Sequence, residues 1–511
     1  MKTMRFYLAI VLVVGFITPI PCLSADNKIL TEKINILIEP FKDWKIYVAS
    51  IKPSPDSQHI AAVAQKGKEF AVVYDGHLLK AYNLISKETP IFSRDSKHFV
   101  YNAKKGTKWI VVLDSKEGKP YEGVSTPVFS PDSNHFAYIA EDGTNQFVVL
   151  DGKELSKYSR VPTKLNLVFS NDSKRFTYCA VKGKEMVAVI DGKESKSYDL
   201  VSFPAFSPDS KHVAFPVITK NSKSKKHEEC MIVDNTEGTH YDKIGAFAFS
   251  PDSSHFAYSA KLDEKAIMVL DGKESTKYTD VAAPMFSPDS KNMGFFGIDG
   301  KKTYMVINGD KGAAYDEVRD LAFSPDSKHY TLTVRNGQEW HIIVDKKISP
   351  AYSEALGPIY SPDSNHVACV AIKNNKWFIV RDGKEGPQYD LVTLCHYSSD
   401  SQHFEYMVKM GNKWGDVIDD KEPVFYDGVA LATFSPDSKH LAFAAQNNNK
   451  WFLVVDGIQG KNMVLGFLKG SGIIFDTKTS LYILGLAIKP GSTLGPNIIK
   501  LKVQFSDNNY L

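Results

Sequence analysis

Apolar and polar residues alternate in short runs along almost the whole chain, and turn residues separate the runs. A typical unit has an aromatic residue, a Ser-Pro-Asp-Ser turn and an apolar run, as at residues 136–140. A second apolar run ends in a tight-turn pair such as Asp151-Gly152, which favours a two-residue hairpin turn. A short polar stretch then leads to a tyrosine, here Tyr158. Each unit therefore predicts four short antiparallel strands and no helix.

The Ser-Pro-Asp-Ser turn recurs at a nearly constant spacing. Of its eleven copies, most lie 37 residues apart and the others 39, 40 or 43 residues apart. The copies begin at Ser54, Ser93, Ser130, Ser170, Ser207, Ser250, Ser287, Ser324, Ser361, Ser398 and Ser435. A fixed period in this range indicates a repeat architecture, and four-stranded units of about 40 residues are typical of β-propeller blades.

The two ends of the chain predict one further blade. Residues 472–475, 481–488 and 498–505 read as three strands, and residues 34–38 near the N-terminus read as a fourth. Pairing them would join the ends of the chain and cover exposed strand edges. The predicted fold is therefore an all-β propeller of about twelve four-stranded blades.

The arrangement of these blades is open at this stage. The first expectation is two six-bladed rings, with residues 26–278 forming blades 1–6 and residues 279–511 forming blades 7–12. Alternatives are a seven-plus-five split and one large ring. The large ring is favoured by the region from Ser250 to Ser435, where no linker rich in Pro, Gly and Ser interrupts the spacing.

The repeated phrase also carries a resemblance. Phe-Ser-Pro-Asp-Ser-Lys-His, as at residues 206–212, resembles the TolB-type, WD-repeat-like propeller repeat of bacterial envelope proteins over nearly the whole mature chain. The resemblance implies a binding platform, a peptidase-gating domain or, occasionally, an enzyme. TolB itself has a separate α/β domain before a six-bladed propeller, and no such domain fits ahead of Pro53. The resemblance therefore indicates a relative of the repeat and not TolB.

The N-terminus has the three-part form of a secretory signal. Lys2 and Arg5 precede an apolar run from residue 6 to residue 20, and small residues follow at Ser24 and Ala25. The run of about 15 residues is short for a membrane span. We expect residues 1–25 to be a signal peptide, the mature chain to have no integral membrane span, and the protein to be periplasmic or secreted. Retention of the signal as an anchor is the alternative.

Charge and cysteine content exclude some functions. The 511-residue chain has 62 basic and 59 acidic residues, a net charge of +3 that argues against a nucleic-acid partner. Four cysteines remain after the signal and lie in different blades without Cys-x-x-Cys spacing, at Cys179, Cys230, Cys369 and Cys395. This spacing predicts buried thiols and no metal or redox centre. A Cys369–Cys395 disulfide between consecutive blades is the alternative.

Most histidines also belong to the repeat. Nine of the fourteen occupy one position of the unit, at His59, His98, His135, His212, His255, His329, His366, His403 and His440. Arg175 and Asn292 take that position in two other units, so the position demands blade geometry and no metal chemistry. The other histidines show no metal-ligand spacing, and we predict no metal and no cofactor. The turn aspartates are likewise expected to cap turns.

Five tryptophans supply the main candidate binding surface. Each lies five residues before the aspartate of the third-strand turn, at Trp109, Trp340, Trp377, Trp414 and Trp451. If they face outward, they form an aromatic surface that stacks on sugars or grips a peptide. The structural alternative is that they fill the interfaces between blades.

The sequence contains no nucleophile elbow, phosphate loop or zinc-protease motif, so a non-catalytic protein is expected. The predicted function is an exported scaffold that binds a protein or glycan of the cell envelope. The alternative is a carbohydrate-active lyase or glycosidase with its residues at a channel mouth. Places where the repeat breaks include His240, Arg319, Cys395 and residues 160–164, and we add His341 and His396 to the five tryptophans as candidate binding residues.

Overall fold

A computed structural model describes residues 31–38, 43–162, 167–220, 227–461, 464–468, 471–487 and 497–505. These residues form twelve small antiparallel sheets arranged in a ring, with one 3-10 turn at Val48–Ser50 and no α-helix in the ranges described. The all-β class and the count of twelve blades are therefore confirmed. The predicted signal peptide lies outside the described residues.

Each of the first eleven blades is a sheet of four strands in chain order, the twelfth takes its outer strand from the N-terminus, and in several blades the first strand is split in two. The first strands are Lys45–Ile46 with Lys52–Pro53, Leu84–Ile85 with Ile91–Phe92, Gly123–Val124 with Val128–Phe129, Val168–Phe169, Leu200–Val201 with Ala205–Phe206, Lys243–Phe249, Asp280–Val281 with Met285–Phe286, Glu317–Phe323, Glu354–Tyr360, Leu391–Tyr397, Gly428–Phe434, and Gly466–Phe467 with Ile474–Thr477. The second strands are Ile60–Lys66, Phe99–Lys105, Phe136–Asp142, Phe176–Lys182, Val213–Lys220, Phe256–Leu262, Met293–Asp299, Tyr330–Asn336, Val367–Lys373, Phe404–Met410, Leu441–Asn447 and Ser480–Ala487.

The outer half of each blade is formed by the third and fourth strands. The third strands are Glu69–Tyr74, Lys108–Leu113, Asn145–Leu150, Glu185–Ile190, His227–Val233, Lys265–Leu270, Lys302–Ile307, Glu339–Val344, Lys376–Arg381, Lys413–Ile418, Lys450–Val455 and Asn497–Gln504. The fourth strands are His77–Tyr82, Lys116–Glu117, Lys153–Tyr158, Lys193–Glu194, Thr236–Tyr241, Lys273–Glu274, Asp310–Tyr315, Lys347–Ile348, Lys384–Glu385, Phe425–Tyr426, Ile458–Gln459 and, from the N-terminus, Thr31–Ile38.

The repeated turn is held by its own side chains, as blade 5 shows. The Ser207 hydroxyl donates to Asp209 Oδ1 at 2.6 Å and accepts the backbone N–H of His212 at 3.0 Å. The same carboxylate oxygen accepts the backbone N–H of Lys211 at 3.1 Å. These hydrogen bonds, that from Ser207 first, lower the pKa of Asp209 to about 2. The turn aspartates thus cap turns, as predicted.

The repeat histidine has a structural partner, which is the aspartate of the third-strand turn. In blade 5, His212 Nδ1 lies 2.6 Å from Asp234 Oδ2, and Asp234 Oδ1 accepts the backbone N–H of Val213 at 3.0 Å. Two blades have another residue in place of the histidine, and each keeps a side-chain contact between the same two positions. Arg175 Nε donates to Asp191 Oδ2 at 2.9 Å, and Asn308 Nδ2 donates to Asn292 Oδ1 at 2.8 Å. The position therefore serves blade geometry, which confirms the structural interpretation.

A hydrogen bond between consecutive turns joins the blades into one ring. The second serine of each turn accepts the backbone N–H of the aspartate in the preceding blade, in an unbroken series of ten bonds from Asp56–Ser96 to Asp400–Ser438. The series crosses the expected division after residue 278, where Asp252 donates to Ser290 at 3.0 Å. Blades 6 and 7 also share one apolar cluster. The expectation of two six-bladed rings is thus replaced by its alternative, one large ring.

The ring closes where the two ends of the chain meet. Strand Thr31–Ile38 pairs antiparallel with strand Asn497–Gln504, which makes it the outer strand of blade 12. Blade 12 then packs on blade 1 through a cluster that contains Ile60, Leu484 and Ile498. The predicted joining of the chain ends in a twelfth blade is therefore confirmed.

The interblade hydrogen bond gives a first prediction. Ser290→Ala removes the acceptor for the Asp252 N–H, and losing one part-buried hydrogen bond costs about 1 kcal/mol. We expect amide exchange at Asp252 to become about five- to tenfold faster, measured by hydrogen exchange with mass spectrometry. Ser254→Ala is the matched control because its hydroxyl bonds only within its own turn. Equal exchange rates in both variants would contradict the joining role of Ser290.

Within the described ranges the four cysteines of the blades form no disulfide, and Cys179, Cys230 and Cys369 are buried. The disulfide alternative for Cys369 and Cys395 is therefore not found. Burial raises the pKa of the Cys179 thiol to about 12, so this thiol is neutral at physiological pH. A search of the described ranges for a helix long and apolar enough to cross a membrane finds none.

A candidate binding groove on the inner wall

The first strands of the blades form the inner wall of the ring, around the central channel of the propeller. Exposed large hydrophobic side chains are concentrated on this wall and on the segments that lead into it. Five of the nine exposed large hydrophobic residues among those described lie there: Tyr47, Leu84, Leu200, Phe203 and Leu465. Single exposed apolar residues are common, whereas exposed apolar residues that adjoin one another mark a candidate interaction site, and of these five Leu200 and Phe203 line a common cavity.

A cavity of about 440 Å³ lies on this wall between blades 5 and 6. Leu200, Phe203 and Pro204 line it from blade 5, and Ile244 and Phe247 line it from blade 6. Phe203 is 48% exposed and Leu200 is 41% exposed, so both apolar side chains are open to a ligand. A mostly apolar cavity of this size is typical of a binding site.

The wall continues from this cavity into a second cavity of about 260 Å³ between blades 6 and 7. Lys243 and Gly245 line both cavities, which makes one continuous groove across blades 5–7. A Cβ at Gly245 would lie 2.3 Å from the Ser259 hydroxyl, so a larger residue there would require the Ser259 side chain to move. At the far end, Lys261 Nζ pairs with Asp280 Oδ1 at 3.3 Å. We call this continuous surface the inner groove.

Other cavities lie between neighbouring blades and result from the general geometry of the propeller. Three similar ones lie between outer strands, at the junctions of blades 2 and 3, blades 7 and 8, and blades 8 and 9. Each is lined by the fourth strand of one blade and by second-strand residues of the next. Because the same geometry recurs at separate junctions, it results from the repeat, whereas the inner groove depends on residues particular to blades 5–7.

None of the seven sequence-predicted binding residues lines the inner groove. The tryptophans lie at the start of the third strands, each paired with the residue that ends the same blade, for example Trp109 with Tyr121. Trp109, Trp377, Trp414 and Trp451 are partly buried. Lysine ammonium groups lie over two of these rings, 5.8 Å from Trp109 and 5.5 Å from Trp414. A binding role for these four tryptophans stays a prediction.

Trp340 has a different environment and offers little surface. It is 5% exposed and belongs to the apolar cluster between blades 8 and 9. The Arg319 guanidinium lies 3.7 Å from its ring centroid, and Arg319 also donates to Glu354 and to the backbone carbonyl of Ala355 in blade 9. The break in the repeat at Arg319 thus supplies a link between the inner strands of two blades.

The two predicted histidines lie apart from each other. His341 Nδ1 lies 3.0 Å from the backbone carbonyl of Ser349 within blade 8. His396, on the first strand of blade 10, has its Nδ1 2.7 Å from Glu405 Oε2 on the second strand. Its ring also packs edge-on against Phe434 of blade 11, with 5.3 Å between ring centroids.

Two buried carboxyl groups accompany His396. Glu405 is fully buried and Asp416 is 9% exposed, and their positions in other blades hold apolar residues such as Val100 and Val111. Burial raises the pKa of Glu405 to about 7. Burial, followed by the neighbouring Glu405, holds the pKa of Asp416 well above its ordinary value. Burial also lowers the pKa of His396, so the neutral forms of these groups are favoured despite their short contact.

Sequence reasoning missed Leu200, Phe203, Glu405 and Asp416. The two apolar residues look like ordinary strand residues, because the alternating pattern does not distinguish an apolar residue exposed on the inner wall from a buried one. The two carboxyls do leave a signal, since each is an acidic residue at a position that is acidic in none of the other units: the position of Asp416 is apolar there, and that of Glu405 is small or apolar apart from Thr177 and Thr331. The two acidic residues stand out when equivalent strand positions of all units, and not only their turns, are compared.

No protein-family model matches the chain, and comparison with curated protein sequences gives no match. Among solved structures, a eukaryotic initiation factor matches with 14% identity and a TM-score of 0.34, over 71% of this chain and 95% of that one. The propeller domain of the Trilobed protease from Pyrococcus furiosus matches with 13% identity and a TM-score of 0.25, over 51% and 94%. TolB from Acinetobacter baumannii matches with 11% identity and a TM-score of 0.23, over 58% and 81%. These likenesses concern the β-propeller fold alone.

Proposed function

We propose that this protein is an exported, non-catalytic scaffold of the cell envelope, built from TolB-type repeats, that binds a partner protein in the inner groove. The observation that carries the proposal is the concentration of exposed apolar side chains on the inner wall, with Leu200 and Phe203 open at a cavity. The sequence pattern of residues 1–25 supports export through a signal peptide.

The chemistry of the groove favours a protein partner over a glycan. Leu200, Phe203 and Pro204 present aliphatic and phenyl surface, which suits apolar side chains of a polypeptide. Lys243 and Glu229 add one charge of each sign to the lining, which suits the backbone and polar side chains of such a segment. Sugar binding would favour the flat face of a tryptophan, and no tryptophan contributes to this lining.

A non-catalytic role is supported by the burial of the most perturbed acids. Glu405 and Asp416 have raised pKa values, as catalytic acids often do, but Glu405 is fully buried and Asp416 nearly so. His396 beside them is 40% exposed, whereas neither carboxyl offers a surface to a substrate.

A pull-down with the chain from residue 26 onward, against envelope extract, tests the proposal. Proteins and glycans bound to the chain are identified together. We expect a protein partner whose recovery falls at least about tenfold with Leu200→Ser/Phe203→Ser, because two apolar contacts are worth roughly 1–3 kcal/mol each. The matched control is Leu78→Ser/Ile348→Ser, which changes exposed apolar residues on outer strands and should keep the partner.

The other outcomes each overturn a part of the proposal. A partner that binds the groove variant as well as the unmodified chain would exclude the inner groove. Loss of the partner only with Trp377→Ala/Trp414→Ala/Trp451→Ala would place binding on the tryptophans. Glycans as the sole bound species, or turnover of a glycan by the purified chain, would replace the protein-binding scaffold by a glycan-binding protein or an enzyme.

A further inference from the structure

A cysteine, a glutamate and a histidine meet on the outer side of blade 5. The sulfur of Cys230, a carboxylate oxygen of Glu237 and an imidazole nitrogen of His240 all lie within 4.8 Å of one another. We propose that these three residues form a binding site for a divalent transition metal of the zinc class.

A β-bulge brings the three side chains together. Cys230 on the third strand pairs with His240 on the fourth, and Ile232 pairs with Glu237 across a shift in register. Without the bulge, residues three apart on a strand point to opposite faces of the sheet. The extra residue places Glu237 and His240 on the face of Cys230. For this reason the linear spacing of the three residues resembles no metal motif.

The donor atoms match late transition metals. Sulfur, imidazole nitrogen and carboxylate oxygen are the ligands of Zn²⁺, whereas Ca²⁺ and Mg²⁺ take oxygen ligands. Glu237 Oε1 lies 3.0 Å from His240 Nε2, while its Oε2 lies 3.7 Å from Lys196 Nζ of blade 4. Glu228 Oε2 lies 3.5 Å from His240 Nδ1 and can orient the ring from its other side. Three protein ligands leave a fourth position for water or a ligand.

Cys230 is fully buried, so its sulfur would lie on the protein side of a bound ion. On binding, a divalent cation forms a bond to the Cys230 sulfur, the thiol proton leaves to solvent, and the oxidation state of the metal does not change.

The site is particular to blade 5. The position of Cys230 holds Ile110 and Phe147 in blades 2 and 3, and the position of His240 holds Lys157 in blade 3. The glutamate does recur, and Glu154 of blade 3 accepts a hydrogen bond from Tyr121 of the preceding blade at 3.0 Å. Only in blade 5 does the recurring glutamate meet a cysteine and a histidine among the described residues.

Titration of the tag-free chain, from residue 26 onward, with Co²⁺ tests the site. Co²⁺ bound by thiolate gives a near-ultraviolet charge-transfer band, which Zn²⁺ removes by displacement. We expect one Co²⁺ per chain, loss of the band in Cys230→Ser, and an affinity lowered in His240→Gln by more than the roughly 10- to 100-fold that losing a group which only orients a ligand costs. Cys179→Ser is the matched control, because Cys179 is a buried thiol of the neighbouring blade and should leave the band unchanged.

The absence of a saturable band, or a band that persists in Cys230→Ser, would overturn the proposal. If Cys230→Ser does not fold, Glu237→Gln and His240→Gln decide the question. Both side chains are partly exposed, at 34% for Glu237 and 36% for His240, and unchanged Co²⁺ affinity in both variants would exclude the site.

Discussion

Deletion of residues 1–38 is expected to open the ring and to lower the free energy of unfolding by about 5 kcal/mol. The deletion removes strand Thr31–Ile38, which pairs with strand Asn497–Gln504 over seven residue pairs. At roughly 0.5–1 kcal/mol for each lost backbone hydrogen bond, the ladder accounts for an effect of this size. Strand Asn497–Gln504 then becomes an unpaired edge, which is a template for association with other chains.

The measurement is thermal unfolding together with size-exclusion chromatography. Deletion of residues 1–30 is the matched control, because it ends just before the closing strand and should leave stability and size unchanged. A synthetic peptide of residues 31–38 should restore part of the lost stability by adding a strand to the exposed edge. Equal stability of the two truncated chains would show that the closing strand contributes nothing to the ring.

The sequence predicts most of the blade because the residues that fix it are local. The Ser207–Asp209 turn bonds and the His212–Asp234 pair lie within one unit, so their repetition reveals strand order, turn positions and blade count. The closing blade was also predictable, since an unpaired strand at each end of a repeat array has few other partners.

The number of rings was not predictable, because the contacts that decide it are between units. Ser290 looks like part of its own turn, yet its hydroxyl bonds the turn of blade 6 and carries the series across the expected boundary. A two-ring chain would show the same sequence period. Ring size depends on the small angle between neighbouring blades, and that angle results from packing of many side chains.

The inner groove was unpredictable for a related reason. Leu200 stands where Leu84 stands in blade 2, and both fit a strand pattern, so only the structure shows that both side chains are exposed. The metal-ligand set of blade 5 depends on a bulge, which breaks the period-two rule that sequence reasoning applies to strands. Candidate sites thus arise where a unit departs from the repeat. Which residues meet at such a site can be seen only in the folded structure.

The buried carboxyls of blade 10 give the second large prediction, which concerns pH. The pKa of Glu405 is raised from an ordinary 4.5 to about 7, so the folded state holds this proton more tightly than the unfolded state does. Well below pH 4.5, Glu405 is protonated in both the folded and the unfolded state and does not lower the free energy of unfolding. As the pH rises from 4.5 to 7 only the unfolded state loses the proton, so stability falls, and above pH 7 the loss is complete.

The size of the loss follows from the shift, which corresponds to about 3 kcal/mol, and the raised pKa of Asp416 acts in the same direction. The titratable groups that face the pair are His396 and Cys395 on the first strand and Tyr426 on the fourth. Burial first, and then a neighbouring carboxyl of the pair, raises the pKa of Cys395 and of Tyr426, so both groups stay neutral. His396 is held towards its neutral form, so it does not offset the penalty.

Glu405→Val/Asp416→Val should therefore be more stable than the unmodified chain at pH 8, by about 2–4 kcal/mol, and this difference should shrink as the pH falls below 4.5 and then below 3.8, the ordinary pKa values of the two carboxyls. The new residue types are those of Val100 and Val111, which fill the same positions in blade 2. Thermal midpoints measured from about pH 3 to pH 8 test this, and subtracting the two curves removes the contribution of the titratable groups that both chains share. Glu405→Gln/Asp416→Asn is the control that removes charge and keeps polarity. Its stability should lack the fall with rising pH that the two carboxyls cause, but it should not reach the full stability of the valine variant. Parallel curves for the valine variant and the unmodified chain would mean that the two carboxyls titrate alike in the folded and unfolded states, and that blade 10 tolerates them as charged groups.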